Sequence, residues 1–429
     1  MNKNLAIALA VIIVIIIAAV PILMKQGGGE ETTTEEYGTI KIGMTISLQG
    51  KYQTEGKQAL CGVEAAIKWY NDNGGIEVDG KKYKLELKYY DDQSKKELVQ
   101  SYYADLVTKD KVNFLLAPYS SGLTLAAAPV SQQYGIIMIS HGGASDKIFS
   151  QGFQYVVQVL TPASKYFESS LKLVKEQIPD AKIAFIYENS AFSNAVMQGA
   201  SQIAQELGLQ VVYNNTYEKG QTEFTSLVQE AKQAGANVLI GGGHFEDGQI
   251  LINTAYNNGW HLKFISILVA PAQPEFAQAV GDAAIGVAAP AQWHVKASYS
   301  PDNVPSGYVW AGPTKEEWLQ AFQAVCPDLE TPAYQAAEAG ASIVFLVEAI
   351  KSANSLDNQA VRQAMNNLAI YTFFGPLKID PETGKQIAHP MIVIQWQEQN
   401  GQLVQEIIYP PESATAQPLI APAVWWPTG

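Results

Sequence analysis

Residues 114–143, FLLAPYSSGLTLAAAPVSQQYGIIMISHGG, predict two buried strands joined by a helix. A polar loop follows each predicted strand, the first at residues 119–122 and the second at residues 140–145. Neighbouring parallel strands bring the loops at their carboxyl ends side by side, and open α/β sheets bind ligands at that edge. The stretch therefore predicts a small-molecule site in which the two loops hold the polar end of the ligand.

The same alternation of strands and helices continues on both sides of this stretch. Strands predicted at residues 39–46 and 83–90 precede it, and each is followed by an amphipathic helix. A second series follows, with strands predicted at residues 182–187, 210–217, 237–241, 263–267 and 284–289. Strands that alternate with helices form mostly parallel sheets with helices on both faces. The predicted fold class is therefore α/β, with two doubly wound units in tandem.

Beyond residue 293 the pattern changes to a group of helices followed by two strands. The helices are predicted at residues 314–325, 333–353 and 357–368, and the strands at residues 390–396 and 403–408. The second of these helices is apolar round most of its circumference, so it has to be buried against a sheet formed earlier in the chain. The proline-rich tail at residues 409–429 is unsuited to the interior of a sheet and is expected to wrap a surface.

The overall charge excludes one class of partner. The chain has 429 residues, a net charge of −13 and 47% hydrophobic residues, which is an ordinary globular composition. Binding of nucleic acid requires a basic face that neutralises phosphates, and the sequence shows no such face. We therefore expect no nucleic-acid partner.

The N-terminus carries an apolar run that predicts a membrane anchor. Residues 5–24, LAIALAVIIVIIIAAVPILM, contain no charge, and a helix of this length crosses a hydrocarbon core of roughly 30 Å. A cleavable signal peptide is the alternative, although its apolar region is usually shorter. Residues 25–37 are rich in glycine and glutamate and predict a flexible linker. The body of the protein is expected on the outer face of the membrane, extracellular or periplasmic.

The two cysteines do not form a recognisable motif. Cys61 and Cys326 lie far apart in the chain and have neither metal-site nor redox spacing. The simplest interpretation is two buried apolar side chains, and a disulfide remains the alternative.

Several short sequence motifs, taken in their order along the chain, resemble those of the branched-chain amino acid binding family of ABC transporter solute receptors. The resemblance runs from residue 39 to the C-terminus. The matching motifs include IKIGMTISLQG (40–50), GVEAAIKWYNDNGGI (62–76), SGLTLAAAPV (121–130), KIAFIYENSAF (182–192) and FFGPLKIDPETGK (373–385).

The resemblance implies a type I periplasmic-binding fold, with two Rossmann-like lobes joined by a three-strand hinge. The first lobe would comprise residues 38–160 and 291–378, and the second residues 161–290 and 379–408. Three crossings would then fall near Leu160, Pro290 and Lys378. The implied function is capture of a small ligand, an amino acid that is branched-chain or related, between the lobes and its delivery to the transmembrane subunits of an ABC permease.

The resemblance also implies how the cleft holds a carboxylate. The hydroxyl of Ser121 would bind it from the first loop, where Tyr119 and Ser120 are its neighbours. The backbone of Gly142, Gly143 and Ala144 would bind it from the second. Hydroxyls and amides form strong charge-assisted hydrogen bonds with anions. An ordinary helix-capping turn at residues 120–122 is the alternative interpretation.

Two positions depart from the family pattern. Ala144 stands where amino acid receptors commonly have a threonine, and Leu268 stands where they commonly have a carboxylate for the ligand's ammonium group. An unpaired ammonium group is costly in a closed cleft, so Glu55 or Glu188 would have to supply the charge. Alternatively the ligand lacks an ammonium group and is an aromatic acid or amide. Its ring would then meet an aromatic wall formed by Tyr119, Phe192, His244 and Trp293.

Other kinds of site find little support in the sequence. No second histidine stands at ligand spacing from His244, so we expect neither a metal nor another cofactor. The chain has no GxSxG or HExxH motif, and residues 50–51 do not complete a phosphate loop. We therefore expect a binding protein and not an enzyme, with a sensory ectodomain of the same fold as an alternative.

Overall fold

The computed structural model describes residues 37–420. The predicted anchor at residues 5–24 and nearly all of the predicted linker lie outside the described residues, as does the end of the tail. Within residues 37–420, no helix is both long enough and apolar enough to span a bilayer.

The first half of the chain builds a six-stranded sheet in the order β2-β3-β1-β4-β5-β6, in which all neighbours are parallel except β2 and β3. Its strands are β1 (Gly38–Ile46), β2 (Ile76–Val78), β3 (Lys81–Asp91), β4 (Phe114–Leu116), β5 (Met138–Ser140) and β6 (Val156–Gln158). Its helices are α1 (Gln53–Asp72), α2 (Lys96–Thr108), α3 (Ser121–Tyr134) and α4 (Asp146–Phe149). The strand order reverses between β1 and β4, and α/β sheets bind ligands at such a point.

The second half repeats the arrangement in a seven-stranded sheet, with the order β16-β15-β11-β10-β9-β7-β8. Its parallel strands are β7 (Lys182–Glu188), β8 (Gln210–Tyr217), β9 (Val238–Gly242), β10 (Phe264–Ile267) and β11 (Val287–Ala291). Its helices are α5 (Glu168–Gln177), α6 (Ala191–Glu206), α7 (Thr225–Gln233), α8 (Phe245–Asn257) and α9 (Phe276–Val280). Here the order reverses between β7 and β9. The prediction of two α/β units is confirmed.

The chain then returns to the first sheet. It forms a small sheet of β12 (Val309–Trp310), β13 (Ile370–Thr372) and β14 (Gly375–Leu377), and the helices α10 (Lys315–Val325), α11 (Tyr334–Ala353) and α12 (Asn358–Met365). As its apolar sequence predicts, α11 is buried along nearly its whole length. It packs so closely on α1 that a Cβ at Gly62 would lie 1.9 Å from the carbonyl oxygen of Ala336.

A disulfide joins α1 to the end of α10. Cys61 and Cys326 are bonded, with their Cα atoms 5.9 Å apart. The interpretation of these residues as two free apolar side chains is therefore wrong, because α10 returns to α1 after the chain has built the second sheet. A bond that closes a long loop typically stabilises a fold by about 2–4 kcal/mol.

The final strands, β15 (Ile392–Gln399) and β16 (Gln402–Tyr409), add antiparallel to β11 at the edge of the second sheet. The described part of the tail lies on these strands. Leu419 donates its N–H to Gln395 Oε1 at 2.8 Å, and Thr415 donates its N–H to the carbonyl of Ile407 at 2.7 Å. Residues 410–420 therefore pack on the second sheet.

We use lobe 1 for β1–β6 with α1–α4, the small sheet and α10–α12, and lobe 2 for β7–β11, β15, β16 and α5–α9. The three segments that run between them bond to one another. Thr161 donates its N–H to Gln292 Oε1 at 3.0 Å and its hydroxyl to the carbonyl of His389 at 2.9 Å, and His389 Nε2 lies 2.7 Å from the carbonyl oxygen of Gln292. The lobe limits at residues 160, 290 and 378 stay predictions.

Candidate functional site

The two points of strand reversal face each other across a closed cleft. A small cavity of about 10 Å³, no larger than one water position, lies between them. Both lobes contribute to its wall, and α11 adds two side chains. The lining residues are Tyr119, Ser120, Gly142, Leu160, Tyr166, Phe192, His244, Tyr334 and Glu338.

Aromatic rings form much of this wall. The ring centroids of Tyr166 and Phe192 are 5.2 Å apart, and those of Phe192 and His244 are 5.6 Å apart. The ring of Tyr119 lies 6.2 Å from that of His244 and so continues the wall across the cleft. Rings at these distances contact edge to face or tilted, the arrangements that aromatic pairs prefer.

Five of the residues singled out in the sequence line the cavity, namely Tyr119, Ser120, Gly142, Phe192 and His244. The first loop reaches the cavity through a strained residue, since Ser120 has φ +84°. Its side chain also accepts a hydrogen bond from the N–H of Leu123 at 3.4 Å and so caps α3. Ser120 therefore both caps α3 and lines the cavity. A contact between Ser120 and a ligand stays a prediction.

Gly142 lets the second loop approach the first. A Cβ at this position would come within 2.7 Å of the Tyr119 ring. A glycine is needed here because no other residue leaves room for the ring that lines the cavity.

The other predicted residues lie behind the wall. Ser121 is fully buried, and its Oγ accepts the N–H of Ser145 at 3.0 Å, so this hydroxyl joins the two loops. Gly143 bonds through its backbone to Ser140 Oγ. Ala144 and Leu268 are buried in the core of lobe 2.

Trp293, the last member of the predicted aromatic wall, is not among the lining residues. It donates its Nε1–H to the carbonyl of Phe373 at 2.9 Å and packs on Trp318 in the core of lobe 1. The wall is completed instead by Tyr166 and Tyr334, which the sequence did not single out.

A cluster of charged groups bridges the lobes beside the cavity. Lys51 of lobe 1 forms an ion pair with Glu188 and lies 3.1 Å from Asp247 Oδ1, both in lobe 2. Glu188 Oε2 also lies 3.2 Å from His244 Nδ1. The hydroxyl of Tyr217 donates to Asp247 Oδ2 at 2.5 Å. Only the two contacts of Lys51 cross between the lobes, and the other two lie within lobe 2.

The opposite charges of this cluster stabilise one another. Burial alone would raise the pKa of Glu188, but the hydrogen bond and charge of His244 together with the Lys51 ammonium lower that pKa to about 2. Burial would likewise lower the pKa of Lys51, yet Asp247 and Glu188 outweigh it and raise the pKa. Lys51 and Glu188 therefore remain oppositely charged at neutral pH.

Part of this cluster has the geometry of a cation site. Ligand atoms of Glu188, His244 and Asp247 lie within 4.8 Å of one another. The Lys51 ammonium group contacts both carboxylates, so it already supplies the positive charge that a metal ion would bring. Sequence reasoning did not assign Lys51 to the site, although it lies in the loop between β1 and α1, four residues before Glu55 in the first turn of α1.

Glu55 forms a second contact across the cleft. Its Oε1 accepts the N–H of Phe245, the first residue of α8, at 3.2 Å. The side chain is fully buried, and this burial raises the pKa of Glu55. It does not line the cavity, because its carboxylate is directed to the helix N-terminus, where negative charge is stabilised.

Glu338 is the acidic residue that the cavity wall contains and that sequence reasoning missed. It is 1% exposed, and burial raises its pKa well above the usual range. A signal was available, since a glutamate near the start of an otherwise apolar, buried helix needs either a partner or a proton.

Comparison with known proteins shows the family. A model of the periplasmic binding protein family matches residues 39–402. Leu/Ile/Val-binding protein homolog 1 from Brucella abortus is 26% identical over 362 residues, which cover 84% of this chain and 91% of that relative.

Solved structures show the same fold. A branched-chain amino acid transporter substrate binding protein from Streptococcus pneumoniae, in complex with isoleucine, aligns with a TM-score of 0.70 and 20% identity, covering 87% of this chain and 100% of that one. An ABC transporter solute binding protein from R. palustris, in complex with 4-hydroxybenzoate, aligns with a TM-score of 0.73 and 18% identity, covering 89% of this chain and 98% of that one. The type I fold and the relationship to branched-chain amino acid receptors, which the sequence motifs predicted, are confirmed. The protein therefore belongs to the periplasmic binding protein family.

Proposed function

We propose that this protein is an extracytoplasmic receptor that captures a small organic solute between its lobes and delivers it to an ABC permease. The observation that carries the proposal is the position of the cavity. It lies at the strand reversal of both sheets, and contacts between Lys51, Glu188 and Asp247 hold the lobes closed over it. A ligand that bridges both lobes favours the closed state.

The solute is proposed to be an amino acid, branched-chain or related. Its carboxylate would lie at the N-terminus of α3, next to Ser120 and the Gly142 backbone, because helix N-termini favour anions. The closed cavity is much smaller than an amino acid, so the solute would enter between open lobes and the wall would move outward to keep it. The relative with isoleucine bound supports this choice.

An aromatic acid is the second candidate. The rings of Tyr119, Tyr166, Phe192 and Tyr334 in the wall favour it, as does the relative that holds 4-hydroxybenzoate. Both candidates share a carboxylate and differ in whether the rest of the molecule carries an amine.

The disulfide supports a location outside the cytoplasm, because such bonds persist in oxidising compartments. Residues 5–24 are proposed to anchor the protein to the membrane. The anchor is tested by expressing the full chain and a version that begins at residue 38. The full chain should sediment with membranes and the shorter version should not. Equal release of both would contradict the anchor.

The receptor function is tested by a thermal-shift screen of amino acids, aromatic acids and amides, followed by calorimetry of each stabilising compound. A receptor should show at least one ligand and should return it unchanged, as judged by mass spectrometry of the released molecule. Folded protein that responds to no compound would contradict the proposal, and chemical conversion of the ligand would show an enzyme instead.

A further inference from the structure

The cavity wall leaves one carboxyl group without a counter-charge. Glu338 stands one helical turn after Tyr334 on α11, so both side chains reach the cavity from the same face of the helix. Within residues 37–420, no hydrogen-bond partner contacts Glu338 Oε2. A buried polar atom without a partner costs free energy, so a ligand that donates to it gains by binding there.

The other acids near the cleft differ from Glu338 in position. Glu188 pairs with Lys51 and His244. Glu55 accepts the N–H of Phe245 through Oε1, while its Oε2, like Glu338 Oε2, has no hydrogen-bond partner among the described residues. Neither lines the cavity. Glu338 is therefore the acid that a molecule inside the closed cleft would contact.

The surroundings of Glu338 suit a cation. Four aromatic rings line the same cavity, and the faces of such rings attract positive charge. Among the described residues that form the wall, none is lysine or arginine. A positive partner for the ionised form of Glu338 would therefore have to come from the ligand.

We propose that Glu338 binds a positively charged amine of the solute, so that the receptor selects amine-bearing solutes over their deaminated counterparts. The inference rests on the proposed function, because it takes this cavity as the solute site. It assigns to α11 the counter-charge that Leu268 cannot provide.

Binding should release a proton. Burial raises the pKa of Glu338 and so favours its neutral form in the empty closed cleft, whereas an ammonium group is paired by the carboxylate form. The carboxyl proton then passes to solvent, and the charges balance. The other titratable groups that face or adjoin Glu338 are Tyr119, Tyr166, Tyr334, His244 and Glu55. The three tyrosines stay protonated, because burial raises the pKa of each.

Three compounds with the same branched carbon skeleton test the inference. L-Leucine carries an amine and a carboxylate, 4-methylpentanoate only the carboxylate, and 3-methylbutylamine only the amine. Each is titrated calorimetrically into the wild-type protein, Glu338→Gln and Glu348→Gln. Glu348 is the matched control, since it lies on the same helix but pairs with Lys351 at 2.8 Å outside the cavity. A matched second series uses L-phenylalanine, 3-phenylpropanoate and 2-phenylethylamine.

We expect the amine-bearing members of at least one series to bind more tightly than the acid. Glu338→Gln should weaken them by about 10- to 100-fold, the effect of losing one charge-assisted hydrogen bond. Glu348→Gln should change them less than twofold. Titrations in buffers of different ionisation enthalpy should report up to one released proton for the wild type and fewer for Glu338→Gln.

Two failures can be told apart. Acids that bind as tightly as the amines, or an amine preference that Glu338→Gln leaves unchanged, would overturn the inference and leave the receptor function standing. If no compound of these series or of the wider screen binds to folded protein, the receptor function falls and the inference with it. Should Glu338→Gln not fold, the amine preference and the proton release of the wild type decide the question alone.

Discussion

Lys51 of lobe 1 and Glu188 of lobe 2 form an ion pair across the cleft, although they lie 137 positions apart in the chain. Their side chains are 10% and 0% exposed, and Asp247 joins them from the same side as Glu188. If Lys51 is removed, Asp247 loses its ion-pair partner and Glu188 retains only its contact with His244. The positive charge of Lys51, in the loop after β1, therefore stabilises the closed arrangement of the two lobes.

Replacing Lys51 with methionine should open the cleft. Removing one partner of a buried ion pair typically costs about 3–5 kcal/mol, and opening relieves that cost by returning Glu188 and Asp247 to water. We expect a larger radius of gyration by small-angle scattering and weaker ligand binding. Lys172→Met is the control, because its pair with Glu168 is exposed and should contribute at most about 1 kcal/mol. Wild-type compactness and affinity in Lys51→Met would contradict this role.

Replacing Gly142 with alanine should damage the site by a steric route. Its Cβ would lie 2.7 Å from the Tyr119 ring, so the second loop or the ring must move. We expect roughly a tenfold loss of ligand affinity, about 1.4 kcal/mol, in calorimetry. Gly122→Ala offers the comparison, since its nearest atom would be the flexible end of Lys96 at 3.7 Å. Equal affinities for the two variants would argue against a tight approach at Gly142.

Replacing Ser121 with alanine should loosen the contact between the two loops. The N–H of Ser145 would lose its acceptor inside the protein, which typically costs about 1–3 kcal/mol. We expect lower stability in urea unfolding together with weaker ligand binding. Ser131→Ala removes a similarly buried hydroxyl from the far end of α3, where it donates to the carbonyl of Ile136 at 2.6 Å. That variant should lose stability but not affinity, and the same loss of affinity in both would show that Ser121 has no special role.

Three buried histidines should each lower the stability between pH 7 and pH 5, whereas the raised pKa values of Glu55 and Glu338 act in the opposite direction. Burial lowers the pKa of His141, His294 and His389 to about 4, from an ordinary value of 6.5. The unfolded chain therefore takes up protons near pH 6.5, whereas the folded protein does so only near pH 4. The stabilisation is complete above pH 6.5 and is lost as the pH falls toward 4.

At pH 5 the loss should be on the order of 2 kcal/mol for each histidine. Urea unfolding at pH 7 and pH 5 measures it. His141→Leu should lose less stability than the wild type when the pH falls from 7 to 5, and the same pH dependence in both proteins would contradict the prediction.

Loss of the disulfide should weaken the fold without altering the site. Cys61→Ala/Cys326→Ala should lower the free energy of unfolding by about 2–4 kcal/mol. Ligand affinity should stay within twofold, since both residues lie in lobe 1 and neither lines the cavity. A reducing agent should destabilise the wild type and leave the double variant unchanged. A large drop in affinity would mean that the bond also shapes the cleft.

Much of the fold could be predicted, because hydrophobic periodicity and turn residues act over short stretches. The loops after β4 and β5 were located in this way, and Tyr119, Ser120 and Gly142 do line the cavity. The remaining wall comes from residues distant in sequence. Glu338 and Tyr334 reach the cavity only because α11 packs on α1, and Lys51 meets Glu188 only when the lobes close. Local sequence patterns do not show which distant segments pack together, so they could predict neither the packing of α11 on α1 nor the contact between the lobes.

The chain path of lobe 1 has a consequence for biosynthesis. Cys61 is made 265 residues before its partner, and the whole parallel part of the second sheet is synthesised in between. During that interval Cys61 is a thiol without its native partner, and α11 is not yet there to cover α1. Lobe 1 therefore cannot finish folding before lobe 2 has largely been synthesised. Its N-terminal half acquires α11 and the disulfide only after most of the protein has been translated.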